Sequence, residues 1–301
     1  MWPSNQEGTK ELKELFGDVV FDNPKPIGLI EFCMHLASDK SSIILDFFSG
    51  SASTAQAVFK LNFSDGGKRK FICSQIPEVV SKKEPAFNFL NSIDKPNKIT
   101  EVGKERIRRA GNKILKEKKE EIEQLKAKSS LIQTEEEKAK IQELEEMIAK
   151  LDIGFKVFKL DSSNIEAWDT EMPETAKAAR PDWKKSRNHL KKGRTEEDLL
   201  YELLLKQGLL LTSPIEERSI AGAKVYNISH GELFICMNAP ITMEVIEGIG
   251  NWGKESIAEA IVDLKPVLVL KDEAFGTDDA FKTNAELRLK NEFGFAKVNT
   301  L

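Results

Sequence analysis

The stretch Ile43-Ile-Leu-Asp46-Phe47-Phe48-Ser49-Gly50-Ser51-Ala52-Ser53-Thr54-Ala55 decides how the first part of the chain folds. An apolar run ends in an acid and two aromatic residues, and small residues then lead into Gln-Ala-Val-Phe-Lys-Leu, which favours a helix. This order predicts a strand over 43–47, a glycine turn, and a helix over 53–62. Small turn residues let the backbone approach a ligand, and the free N–H groups of a helix start favour an anion. A plain strand–helix turn is the alternative. We do not expect a triphosphate loop, because the stretch lacks the Gly-x-x-x-x-Gly-Lys-Ser/Thr pattern.

Composition limits the classes of function. The chain has 301 residues, of which 40% are hydrophobic and 31% charged, and this length predicts about two domains. The net charge of −4 excludes a basic footprint over the whole protein, so any contact with DNA must come from local patches. We expect no membrane span and no signal peptide, because the sequence has no long apolar run and its start has no signal core.

The cysteines indicate a reducing compartment. Cys33, Cys73 and Cys236 lie far apart, each in an apolar setting, which predicts buried free thiols and a cytoplasmic protein. Neither Cys-x-x-Cys nor clustered histidine suggests a metal site.

The segment Asp46-Phe-Phe-Ser-Gly-Ser-Ala-Ser-Thr-Ala55 resembles the S-adenosyl-L-methionine loop of DNA amino-methyltransferases. Within that class it resembles the adenine-specific modification subunit of type III restriction–modification systems. The resemblance implies a partial Rossmann-like methyltransferase domain and transfer of a methyl group to adenine N6 in DNA. Further segments typical of the family occur in the same order as in the family. Two lie ahead of the loop, Gly8–Leu12 and Phe21–Pro26, and three lie after it, Arg69–Glu78, Gly154–Asn164 and Ala280–Asn284.

The resemblance implies a cofactor site built from the loop and two flanking segments. Asp46 ends the predicted strand, where ligands of open α/β sheets bind, although a turn-capping aspartate is the alternative. Lys25 is a candidate partner of the cofactor carboxylate by charge-assisted hydrogen bonding. The second strand ends in Gln75 and Glu78, and either could meet the ribose. The predicted cofactor-binding residues are Lys25, Asp46, Phe47, Phe48, Ser49, Gly50, Ser51, Ser53, Thr54, Gln75 and Glu78.

Two details of the loop stay open at this point. One of the loop hydroxyls could be only the helix N-cap. The family commonly has glycine where this chain has Ala52, and we expect this side chain to narrow the loop slightly without preventing binding.

One departure from the family pattern limits the expected activity. The catalytic Asp-Pro-Pro-Tyr tetrapeptide and the target-recognition region are missing from this sequence, and Asp22-Asn-Pro-Lys25 has no aromatic residue to stack on a base. We therefore expect the C-terminal portion of such an enzyme, from a truncated or split gene, with no catalytic residue of its own. Expected partners are double-stranded DNA through the complete enzyme, a restriction subunit or the missing methyltransferase half, and further copies in an oligomer. The alternatives are a non-catalytic assembly module with a vestigial loop and an unrelated nucleotide-binding enzyme.

The remaining sequence predicts an α/β protein of four parts. Residues 1–100 form the cofactor-binding part, 101–153 a helical coiled-coil hairpin, 154–194 a strand and linker, and 195–301 a small α/β domain for docking or dimerisation. The hairpin is indicated by a run of Lys, Glu, Ile and Leu with apolar a/d spacing. Thr134 and Glu137 form a capping-box pattern between its two helices. Residues 155–160 alternate apolar and basic, which predicts a strand, and 79–100 predict a loop. Two helices are predicted over 241–249 and near 254–262, and Thr195, followed by acids, predicts the N-cap of another helix.

Two local basic groups are candidates for phosphate contact. Arg106, Arg108 and Arg109 form the best cluster in the hairpin, and Lys184–Arg194 form a basic run in the linker. Solvated surface is the alternative for both.

Overall fold

In this computed structural model, which describes residues 5–127, 134–165, 191–276 and 278–301, the chain divides into two units. They are Met1–Phe155 and Lys156–Leu301, and each is described by itself. Both mix helices with strands, so the predicted α/β class is confirmed. The predicted division into four parts stays a prediction.

The first unit is built around a strand–helix–strand unit with further helices. Its elements are α1 (Asn5–Phe16), α2 (Ile27–Ala37), β1 (Ile43–Asp46), α3 (Ser53–Asp65), β2 (Lys70–Cys73), α4 (Pro85–Ser92), α5 (Ile99–Lys126) and α6 (Glu135–Lys150). The predicted strand, turn and helix around Asp46 are therefore confirmed. Residues 85–92 form a helix inside the segment 79–100, for which a loop was predicted, since Pro85 starts α4 and Ala86 and Leu90 are buried.

Strands β1 and β2 pair in parallel, with Ile44 beside Phe71 and Leu45 beside Ile72. Because side chains alternate along a strand, Ile44 and Phe71 pack on the buried residues of α2 and α3. Leu45 and Ile72 point to the opposite face, where they are 60% and 51% exposed. Parallel strands are usually covered on both faces, so this exposed apolar face is unusual for a parallel sheet.

Helices α5 and α6 pack along each other through Ile122, Ile141 and Leu144, which are buried together. The ion pair between Lys140 and Glu121, at 2.7 Å, also joins the two helices. Helix α6 begins with the predicted capping box of Thr134 and Glu137. Whether the pair winds as a coiled coil stays a prediction.

The second unit contains a five-stranded sheet between helices. Its elements are α7 (Glu196–Lys206), β3 (Ile215–Ile220), β4 (Ala223–Ile228), β5 (Leu233–Cys236), α8 (Met243–Glu259), β6 (Val267–Leu270), α9 (Asp279–Phe293) and β7 (Lys297–Thr300). The strands follow chain order; β3 to β5 are antiparallel, and β5 to β7 are parallel. Helices α8 and α9 cover one face around Phe234, while α7 covers the other around Ile235. The second unit thus mixes helices and strands, as the sequence predicts, while the boundary at Thr195 stays a prediction.

Three expectations from the sequence are wrong or fall outside the described residues. Residues 155–160 form no strand, and Leu160 is fully exposed, because no neighbouring strand pairs with this alternating segment. A single helix, α8, replaces the two helices predicted over 241–262. The basic run 184–194 lies outside the described residues except for its last four, of which Arg194 pairs with Asp161 at 2.7 Å.

Candidate functional site

The turn between β1 and α3 has a left-handed backbone at two positions. Gly50 has φ +49° and Ala52 has φ +60°. A Cβ atom at Gly50 would also lie 3.1 Å from the ring of Phe21. The left-handed conformation costs a non-glycine residue about 1–2 kcal/mol, which explains why the family commonly has glycine at the position of Ala52. The constraint at this position is therefore the backbone conformation and not the width of the loop.

Asp46 ties the turn to the start of α3. Its Oδ2 accepts a hydrogen bond of 2.5 Å from Thr54 Oγ1, and its Oδ1 accepts one of 3.3 Å from the Phe48 amide. Ala52 is the N-cap residue of α3 and offers no side-chain cap, so none of the loop hydroxyls caps this helix. Of the first N–H groups of α3, that of Ala55 bonds the Cys73 thiol. The N–H groups of a helix start that have no partner in the protein can bind a ligand.

The end of β2 supports the turn from the neighbouring strand. Gln75 Oε1 accepts a hydrogen bond of 2.8 Å from the Gly50 amide, and the Ser74 carbonyl accepts one of 3.1 Å from Ser49. Glu78 lies farther along with an exposed side chain, and its carbonyl accepts a bond from Ile99 at the start of α5. The structure thus brings Gln75 to the predicted loop.

Phe47 and Phe48 project from the turn into solvent. They are 63% and 73% exposed, and their ring centroids lie 5.2 Å apart. Ile76, at the end of β2, is also 62% exposed. Exposed aromatic rings beside a turn of small residues suit stacking or edge contact with a flat ligand.

Lys25 is exposed on a segment that α1 holds in place. The amide of Ile27 donates a hydrogen bond of 2.9 Å to Glu11 on α1. Gly8 lets α1 approach closely, because a Cβ there would lie 2.2 Å from the Pro24 carbonyl oxygen. Phe21, from the same segment, contacts Gly50 in the turn.

Helix α5 packs against the buried side of the turn between β1 and α3. Gly103 approaches the turn so closely that a Cβ would lie 3.3 Å from the Gly50 carbonyl oxygen. Arg106 is fully buried and donates to the hydroxyls of Ser51 and Ser53 at 2.8 and 2.6 Å. Sequence reasoning had placed this arginine in a surface cluster, so its contact with the predicted loop was missed.

The predicted basic cluster of α5 is not a single surface patch. Arg106 is buried, and the Arg109 guanidinium lies over the rings of Phe16 and Phe89, 5.0 and 5.2 Å from their centroids. Arg108 lies over the ring of Phe155 and is about half exposed. The interpretation as a phosphate-binding cluster is therefore wrong, because the three side chains leave the helix in different directions.

S-adenosyl-L-methionine fits the groups that surround the turn. Half-buried Asp46 and the exposed rings of Phe47 and Phe48 lie beside Gly50 and Ala52, whose backbone is left-handed. The buried guanidinium of Arg106, which has one nitrogen without a hydrogen-bond partner, lies beneath them. An adenosine carries ribose hydroxyls for a carboxylate or amide and a base for an aromatic ring, while its amino-acid end carries a carboxylate.

The three cysteines differ in exposure. Cys33 is exposed on α2, which contradicts the prediction that it is buried; the buried face of that helix carries Ile27 and Met34 instead. Burial raises the pKa of the Cys73 thiol at the end of β2 to about 12, and the charge of Asp46 contributes in the same direction. Burial also raises the pKa of Cys236.

These differences predict the order in which the thiols react. At pH 8 a disulfide reagent such as Ellman's reagent should label Cys33 rapidly and Cys73 at least about a thousandfold more slowly, since the thiolate is the reactive form. Stopped-flow absorbance should show one rapid phase of one thiol, and Cys33→Ser should remove it. Two rapid thiols in the native chain would contradict the placement of Cys73.

The described ranges contain neither a helix that could span a membrane nor a cluster of metal-ligating side chains. None of the helices there combines the length and hydropathy that crossing a bilayer requires. No group of three or more His, Cys, Asp or Glu side chains in those ranges could hold a metal ion.

Comparison with known proteins identifies relatives of this chain. A family model described as DNA methylase matches residues 1–81. The StyLTI Mod subunit of a type III restriction-modification enzyme from Salmonella typhimurium is 46% identical over 37% of this chain and 16% of its own length. The EcoPI Mod subunit of Escherichia phage P1 is 45% identical over 28% of this chain and 13% of its own. The EcoP15I Mod subunit of Escherichia coli is 39% identical over 35% of this chain and 16% of its own.

These findings confirm the resemblance drawn from the loop residues. The matched part is similar to the modification subunits of type III restriction–modification systems and to DNA methylases that act on amino groups. The aligned segments span about a sixth of the length of these relatives.

Proposed function

Because residues 1–81 match a DNA methylase family model and the chain is similar to type III modification subunits, we propose that this chain binds S-adenosyl-L-methionine at the turn between β1 and α3. It serves as the cofactor-binding portion of a site-specific DNA adenine-N6 methyltransferase. The observation that carries the proposal is the turn itself, at the carboxyl ends of two parallel strands. Asp46 accepts hydrogen bonds from the Thr54 hydroxyl and the Phe48 amide, and Gln75 accepts one from the Gly50 amide. Ligands of open parallel sheets bind at this edge.

The exposed groups of the turn receive the cofactor. Phe47 and Phe48 meet the adenine ring, and Lys25 meets the carboxylate of the amino-acid end. Glu78 and Gln75 are the ribose candidates; Glu78 is the better placed of the two, because the Gln75 side chain already accepts a bond from Gly50. Ser51, Ser53 and Thr54 are buried, with hydroxyls bonded to Arg106 or Asp46, so they act mainly by shaping the turn.

The chain positions the cofactor but does not hold the target base. Bound S-adenosyl-L-methionine supplies an activated methyl group. An adenine flipped from the duplex would be presented to that methyl group by groups outside this sequence, namely the Asp-Pro-Pro-Tyr tetrapeptide of the family. Double-stranded DNA, that other half and a restriction subunit are therefore the proposed partners. Catalysis in such an arrangement is mostly positioning, so the chain alone transfers no methyl group.

Calorimetric titration of S-adenosyl-L-methionine into the purified chain tests the proposal. We expect one site per chain in the wild type and at least about a tenfold weaker affinity in Asp46→Ala, which corresponds to one charge-assisted hydrogen bond. Thr54→Ala is the matched control, because it breaks the same bond of the turn but keeps the carboxylate. Equal losses of affinity in both variants would assign Asp46 a structural role. Methylation of DNA by the chain alone would contradict the proposal that the catalytic groups lie outside this sequence.

A non-catalytic assembly module with a vestigial loop is the second candidate function. The exposed apolar face of β1 and β2 favours it, with Ile43, Leu45 and Ile72 between 48% and 60% exposed. Its occupant would be the polypeptide that carries the other methyltransferase half, since the relatives are about six times longer than the aligned segment. A folded wild-type chain that binds no cofactor in the same titration would support this function instead.

A further inference from the structure

Arg106 lies directly beneath the turn and is completely buried. Its Nε donates a hydrogen bond of 2.7 Å to Gln56 Oε1 on α3. One terminal nitrogen donates to both Ser51 and Ser53, the residues on either side of left-handed Ala52. The guanidinium therefore connects α5 to the turn and to the first part of α3.

The charge of this guanidinium is not neutralised by the protein. Among the described residues no carboxylate lies within ion-pair distance of it, and its second terminal nitrogen has no hydrogen-bond partner. Burial lowers the pKa of Arg106 to about 10, while the nearby charge of Glu11 acts in the opposite direction. The side chain therefore remains cationic at neutral pH. An unpaired buried charge is costly, which points to a role other than stability.

Two positive contributions meet at the same place. The start of α3 is uncapped, so its N–H groups present the positive end of the helix dipole to the turn. Arg106 adds a full charge behind the turn, in surroundings that screen it weakly. An anionic group in front of the turn would be attracted by both.

We propose that Arg106 is a positioning residue that holds the turn in its binding conformation and selects ligands with an anionic end. This inference rests on the proposed function and names the part of the cofactor concerned, the carboxylate of its amino-acid end. Lys25 would approach that carboxylate from the exposed side, and Arg106 would act on it through the turn. The guanidinium itself does not touch the ligand, since the hydroxyls of Ser51 and Ser53 and the backbone lie between them.

Two ligands that differ at the amino-acid end test the inference. S-adenosylhomocysteine carries the carboxylate, whereas 5′-methylthioadenosine keeps the adenine, ribose and thioether but lacks the carboxylate. Affinities of both would be measured by calorimetry for the full wild-type chain, Arg106→Met and Arg108→Met. Arg108→Met is the matched control because it removes the same charge from the same helix at a half-exposed position.

The expected result is a selective loss. Arg106→Met should weaken S-adenosylhomocysteine roughly 10- to 50-fold and 5′-methylthioadenosine less than about threefold, whereas Arg108→Met should change neither by more than about twofold. Equal weakening of both ligands by Arg106→Met would show that Arg106 has a purely structural role. This result would overturn the inference but leave the proposed function standing. A wild-type chain that binds neither nucleoside would remove the proposed function together with the inference.

A second pair of variants keeps the test decisive if Arg106→Met fails to fold, which circular dichroism would show. Arg106→Lys keeps the positive charge with fewer hydrogen bonds and should retain part of the preference for S-adenosylhomocysteine. The double variant Ser51→Ala, Ser53→Ala removes the two acceptors that join Arg106 to the turn. Because the charge stays in place, this variant should weaken both ligands but preserve the preference for S-adenosylhomocysteine. A preference that is lost in both this variant and Arg106→Lys would assign Arg106 a role in the shape of the turn alone and overturn the inference.

Discussion

Replacement of Phe234 by alanine should lower the free energy of unfolding of the second unit by about 3–5 kcal/mol. Phe234 lies on β5 with no exposed surface, and its ring centroid is 5.5 Å from those of Trp252 and Phe295. Alanine would leave a cavity between the sheet and α8 and would remove two aromatic contacts of about 0.5–1.5 kcal/mol each.

The measurement is amide hydrogen exchange along β5, combined with urea unfolding. Exchange reports the second unit specifically, because its backbone amides are resolved separately from those of the first. Leu205→Ala is the control: truncation to alanine at a second-unit position that is 61% exposed should change the stability of the same unit by less than about 0.5 kcal/mol. Similar small changes in both variants would contradict the packing described around Phe234.

Replacement of Gly8 by alanine should destabilise the first unit by about 1–3 kcal/mol, although alanine favours a helix by about 1 kcal/mol over glycine. The added methyl group would lie 2.2 Å from the Pro24 carbonyl oxygen and 3.0 Å from the Lys25 carbonyl carbon. Both of these atoms belong to the backbone, so α1 must move away from the segment Pro24–Lys25. The bond between Glu11 and the Ile27 amide would then lengthen or break.

Thermal unfolding followed by circular dichroism measures this effect, and the same preparation can be titrated with cofactor. Lys10→Ala is the control, since Lys10 is exposed on the same helix and its replacement should leave the stability nearly unchanged. A Gly8→Ala chain that is more stable than the wild type would show that α1 does not pack on Pro24.

The sequence predicted those elements whose signals are local. The strand, turn and helix around Asp46 follow from an apolar run, glycine and a helix-forming segment. Thr134 and Thr195 begin helices with capping boxes, as their neighbours three residues later indicated. The edge strands were missed for a physical reason: β3 and β7 carry polar residues along most of their length and are recognised only through their pairing partners.

The part of the site that sequence reasoning missed depends on contacts between distant residues. Arg106 lies 53 residues after Ser53 and 55 after Ser51, within a helix rich in lysine and glutamate, so its pattern resembles a solvated face. A possible signal was the pair Gly103 and Arg106, since a glycine inside a charged helix indicates a close approach. Glycines also misled the division of α8, where Gly250 admits the ring of Phe293 and does not end the helix.

Helix α5 gives the first unit a spacer of adjustable length. Its contacts with the turn come from Gly103 and Arg106 near its start, whereas Ile122 near its end packs on α6. The helix has 28 residues and is therefore about 42 Å long. Inserting or deleting whole turns in the distal half, matched in α6, would change the reach of this arm without altering the turn. The distance from the turn to the far end of the two helices can thus change while the turn keeps its dimensions.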